Sequence, residues 1–69
     1  MPDNPSATLA VIADHLERYQ EQLGDLVPGY QHDEDADMVT ALVEAERALR
    51  TATRLVRRAS RTADQAGGR

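Results

Sequence analysis

The fold class this chain predicts is all-α: a two-helix antiparallel hairpin, expected to dimerise into a four-helix bundle. Three observations predict it. Apolar residues recur at steps of three and four in two separate stretches. Val27-Pro28-Gly29-Tyr30, a turn signal, stands between them. The second stretch, from 35 to 64, holds no glycine or proline.

The first helix is expected at about residues 6–26. Asn4 and Ser6 are capping residues, and Pro5 suits a first helical position. Leu9, Ile12, Leu16, Tyr19, Leu23 and Leu26 then form an alternating seam that spans an arc of roughly 100°. Asp14, Glu17, Glu21 and Asp25 fall together on one flank, as an acidic stripe. The helix is expected to stop at 24–27, because proline breaks the hydrogen-bond ladder and glycine permits positive φ.

A polar, acidic connector follows, Gln31–Asp37, with Asp33, Asp35 and Asp37 placed to cap and complement the next helix dipole. The second helix is expected at about 35–64. Its wheel divides in three. Met38, Leu42, Leu49 and Val56 make a bulky apolar side; Ala41, Ala45, Ala48, Ala52, Ala59 and Ala63 make a small one, with Leu55 at its edge. Opposite lie Arg47, Arg50, Arg54, Arg57, Arg58 and Arg61. Residues 1–5 and 65–69 read as flexible tails of a single domain spanning 1–69.

A short connector makes the helices antiparallel. Leu9, Ile12, Leu16, Tyr19 and Leu23 are then expected to face Leu42, Leu49, Ala52 and Val56. The second helix is longer, so an overhang of about ten residues is expected, carrying Val56, Ala59 and Ala63 without an intrachain partner. An apolar arc wider than one seam packs against two neighbours, which is why a homodimer is expected. Small chains without other staples commonly fold as oligomers.

Composition narrows the function. The chain has 69 residues, no cysteine, no Trp or Phe and two tyrosines. Disulfides, thiolate metal sites and thiol chemistry are excluded. No leader peptide or membrane span is expected, which points to a cytoplasmic protein. The charge is split. Residues 1–46 carry eleven acids and one cation, net −10; residues 47–69 carry seven arginines and one acid, net +6; together they give −4. Such asymmetry marks an interacting protein.

Chemistry-bearing motifs are sparse. Asp33, Asp35, Asp37 and Glu44 match the first, third, fifth and twelfth positions of a calcium loop, but Met38 stands where that loop needs glycine. His15 and His32 are not paired at ligand spacing. Ser6 and Ser60 are expected far from both, so no catalytic residues, metal or cofactor are assigned and an enzyme is not expected.

The reading is a small non-enzymatic protein–protein interaction or adaptor module. Its self-association residues are Leu9, Ile12, Leu16, Tyr19, Leu23, Leu42, Leu49, Ala52 and Val56. The basic face of Arg47, Arg50, Arg54, Arg57, Arg58 and Arg61 is expected to point away from the chain's own seam, unpaired with the acidic stripe. It suits an acidic protein partner. Two alternatives stand beside this. One is a nucleic-acid-associated or antitoxin-like regulator using the Arg47–Arg61 face, which the net negative charge and the lack of interleaved aromatics disfavour. The other is an accessory subunit of a larger complex.

Overall fold

A computed structural model describes residues 4–67. Two helices fill it: α1, Pro5–Leu26, and α2, Ala36–Gly67. They pack side by side and antiparallel in a rod of 56 × 17 × 13 Å. The predicted hairpin is therefore observed, with α2 running further at its C-terminal end than the sequence pattern implied. Residues 1–3 and 68–69 of the expected tails lie outside the described residues. Pro5 and residues 65–67, also expected in the tails, are helical.

The start of α1 follows from local chemistry. Asn4 is extended, at φ −103° and ψ 94°, and its side chain accepts from the Ala7 backbone N–H at 3.3 Å. Pro5 sits in the first turn, where its missing N–H would have had no helical partner. At the other end α1 passes into a 3₁₀ turn, Val27–Gly29, closed by Tyr30 N–H donating to the Val27 carbonyl at 2.9 Å. The Gln31 side-chain amide donates to the same carbonyl at 3.1 Å. A second 3₁₀ turn, Asp33–Asp35, leads into α2. Glycine was expected to supply positive φ at this corner, yet no described residue has one. Stacking two 3₁₀ turns reverses the chain without it.

The intrachain seam differs from the one the pattern drew. The inward residues of α1 are Ser6, Leu9, Ala10, Ala13, Leu16, Gln20, Leu23 and Gly24, all buried or half-buried, and half-buried Val27 follows them in the turn. On α2 they include Val39, Leu42, Glu46, Leu49, Thr53, Val56, Arg57 and Ser60. Ile12 and Tyr19, expected to face α2, are 41% and 52% exposed, and Leu26 is 48% exposed. Ala52 is half-buried at the edge of the seam. Each seam is rotated toward its charged flank, so that small residues occupy the line of closest approach. Ala13 is fully buried there. Helix separation is set by the side chains at the contact, and alanine or glycine lets the axes draw together.

Polar groups on the seam are matched. Thr53 is buried, and its hydroxyl donates to the Leu49 carbonyl at 2.8 Å. The Ser60 hydroxyl donates to the Ser6 carbonyl at 2.8 Å, tying the start of α1 to α2. That bond also corrects the expected overhang. The α1 helix begins level with about Ser60, so Val56 and Ala59 do not project beyond it. About two turns of α2, residues 61–67, extend past.

Gly24 lies in the helical span of α1 against α2. A Cβ there would meet the Glu46 Oε2 atom at 3.2 Å, which is the far end of a flexible side chain. Removing a glycine from a helix interior is worth about 1 kcal/mol, and Glu46 can swing aside at little cost. Gly24→Ala is therefore expected to raise the thermal midpoint by several degrees, read by circular dichroism at 222 nm.

A two-faced hairpin as the candidate functional site

The two flanks of the seam give the rod two dissimilar long faces. Arg57 fixes which flank of α1 lies beside which flank of α2. Its guanidinium donates to Asp14 Oδ1 at 3.2 Å and to Glu17 Oε1 at 3.1 Å. The acidic flank of α1 and the arginine-bearing flank of α2 thus share one face. Glu21 and Asp25 continue the acidic row there; Arg50, Arg54 and Arg61 continue the basic row. Arg47 and Arg58 turn further out, to the outer edge of α2. The expectation that the two charged stripes stay apart is overturned: the seam's rotation carries both onto the same side, and Arg57 bridges them. Arg57 is half-buried rather than projecting from an overhang.

Within α2, Arg50 pairs with Glu46 at 3.7 Å, four residues back. These three ion pairs are those found among the described residues. Arg57 and its two partners are 39%, 64% and 55% exposed, so solvent screens the attraction. Arg57→Ala is expected to lower stability by about 1 kcal/mol or less, with most of the difference gone by 1 M salt in parallel urea melts.

A shallow groove of 160 Å³ lies near the start of α1, lined by Ala10, Arg57, Ser60 and Arg61. It is smaller than the roughly 300 Å³ at which small-molecule pockets begin. Among the described residues no group of three or more His, Asp or Glu converges as a metal site. The calcium-loop spacing does not form a loop: Asp33 and Asp35 occupy the 3₁₀ turn, and Asp37 and Glu44 lie in α2. His15 and His32 are exposed. Ser6 and Ser60 come together, a meeting the sequence pattern did not signal.

The opposite face is apolar. Since the charged flanks coincide, the other two flanks coincide as well. From α1 it carries Ile12, Tyr19 and Leu26. From α2 it carries Ala41, Ala45, Ala48, Ala52 and Ala59, with Leu55 at its outer margin, 51% exposed. Bulky side chains thus line one edge of this face and alanines line the other. Beneath it the hairpin's own core is thin: among the described residues only Ala13, Leu42 and Thr53 are buried, and no large side chain is fully so. No described helix is long and apolar enough to cross a membrane.

Comparison with protein-family models, with curated proteins and with solved structures gives no match to this chain.

Proposed function

We propose that this chain is a self-associating protein–protein interaction module. Its apolar face closes a four-helix bundle with a second copy, and its charged face is presented outward to other proteins. One observation carries the reading: Ile12, Tyr19, Leu26 and the alanine row form a continuous apolar strip on a hairpin that buries very little else. A contiguous exposed apolar patch is a mark of an interaction surface. A domain of this length whose core holds so few buried side chains gains most from an added layer. The face that remains outward pairs an acidic row with a basic one. Such a surface suits a protein partner with complementary rows, chosen by charge more than held by it.

Multi-angle light scattering and circular dichroism over a dilution series test this. The mass of two chains is expected, with helicity and mass falling together on dilution. A stable helical monomer at hundreds of micromolar would overturn it. The acids beside Arg57 oppose a nucleic-acid role for the same face. Duplex binding that weakens steeply as salt rises would establish that role instead.

A further inference from the structure

We infer that the charged face meets the charged face of another copy, across a two-fold axis that runs parallel to the rod. The inference rests on the reading of that face as an outward interaction surface and names what it meets. It does not depend on the apolar contact. The observation behind it is the spacing of the two charged rows. Arg57 donates to Asp14 at 3.2 Å and to Glu17 at 3.1 Å, so one arginine of α2 bridges two successive acids of α1. Stepping three residues along each antiparallel helix brings Arg54 to the same relation with Glu17 and Glu21. Four residues further brings Arg50 to that relation with Glu21 and Asp25.

The backbones themselves are level elsewhere. By the Ser60–Ser6 bond, Thr53 stands beside Ala13, and both are buried. Arg57, four residues further along α2, still reaches Asp14, because long side chains lean toward the N-terminus of their own helix. Arg54 and Arg50 carry the same lean on the same helix. Within one chain, however, only Arg57 makes the crossing. It is half-buried beside the seam, whereas Arg54, Glu21 and Asp25 are exposed and take part in no ion pair among the described residues.

A two-fold axis along the rod keeps every residue at its own height and exchanges the two helices. The acidic row of each copy is then laid on the arginine row of the other, at the heights where Arg57 shows that such pairs close. Arg54 and Arg50 each meet two acids of the facing copy, and the axis repeats both contacts. The other two-fold, across the rod, lays acids on acids and arginines on arginines, which is repulsive throughout. Exposed ion pairs are individually weak, and the chain's net −4 opposes the approach. The contact therefore belongs to high concentration and low salt, and it selects register more than it adds affinity. The apolar strip is on the opposite face, so a chain can make both contacts at once. Two such contacts on opposite faces leave no closed end, and dimers add side by side.

Light scattering tests this at about 1 mM chain, with salt raised from about 50 mM to about 0.5 M, which shortens the screening length from about 14 Å to about 4 Å. A mass of four chains or more is expected at the low end and of two chains at the high end. Glu21→Arg and Arg54→Glu, each checked by circular dichroism for retained helicity, then probe the pairing. Either reversal sets like charges opposite each other twice, and is expected to weaken the low-salt association at least about tenfold. In a mixed pair of the two variants, one of the two row-on-row contacts is fully native. Association of the mixture is therefore expected to be at least about threefold stronger than that of either variant alone.

A mixture no stronger than the better of its components would overturn the inference. Glu21→Arg makes the chain less negative and Arg54→Glu makes it more so. Strengthening by the first and weakening by the second would mean that net charge alone governs, and would overturn it too. A two-chain mass at every salt concentration would also overturn it, while leaving the apolar contact standing. Two chains at low salt and one at high salt, with recovery on mixing, would uphold this contact and overturn the apolar dimer.

Discussion

Leu42→Asp is expected to abolish the helical fold. Among the described residues Leu42 is the one large apolar side chain that is buried, at 6% exposure, and it sits on the seam of α2 facing α1. The substitution removes a leucine worth about 2–5 kcal/mol in a packed site. It also puts a carboxylate into a buried position, at a cost of several kcal/mol more. A small helical domain has about 3–5 kcal/mol in total. The loss exceeds the stability available, so the far-ultraviolet signal at 222 nm should collapse at 25 °C. Leu42→Ala in the same assay should leave a weakened but cooperative melt, which separates the missing side chain from the introduced charge.

Tyr19→Asp is expected to move association to much higher concentration, with helicity following the mass. Tyr19 is 52% exposed and lies off the intrachain seam. A symmetric dimer carries it twice, so each substitution counts double. Burying a large side chain contributes about 1.5–3 kcal/mol, hence roughly 3–6 kcal/mol per dimer. At about 1.4 kcal/mol per factor of ten, the dissociation constant should rise at least a hundredfold, measured by sedimentation equilibrium. Val11→Asp is the control. Val11 is equally exposed, at 52%, but occupies the outer edge of α1 away from the apolar strip. Its dissociation constant should change less than threefold. Equal losses from both substitutions would mean that no particular face is used.

The hairpin itself was legible in the chain. The three-and-four spacing, the Pro28-Gly29 corner and the glycine-free run to Asp64 bound the helices to within a few residues at each end. The direction in which each helix faces was not. A pattern reading follows the bulkiest apolar side chains, and those on α1 trace Ile12, Tyr19 and Leu26. Packing instead chose Ala13 and Gln20 on the intervening line, because two helices in contact favour small or flexible groups where their axes come nearest. The same preference moved Thr53 and Ser60 inward, each with a carbonyl to satisfy its hydroxyl. The spacing of the arginines defines a stripe on a single helix. Its relation to the acids of α1 depended on the rotation of both helices, and a wheel drawn for one helix holds no such information. A signal was present nonetheless: the apolar arc of α2 spans a bulky and a small side, and only one of them can face α1.

The turn at Val27–Asp35 puts one end of the 56 Å rod far from both Asn4 and Gly67. That folds the lengthwise charge split of the chain into an electric polarity of the particle. The turn half, residues 16–55, holds nine acids and four arginines, a net of −5. The other half, residues 4–15 and 56–67, holds two acids and three arginines, a net of +1. In a field from any charged body such a rod has a preferred heading, strongest at low ionic strength and within about a Debye length of contact. A basic surface draws the turn end toward itself, and an acidic one turns it away. Orientation is therefore selected before any side chain touches, and at a basic surface the end that carries Asn4 and Gly67 trails behind.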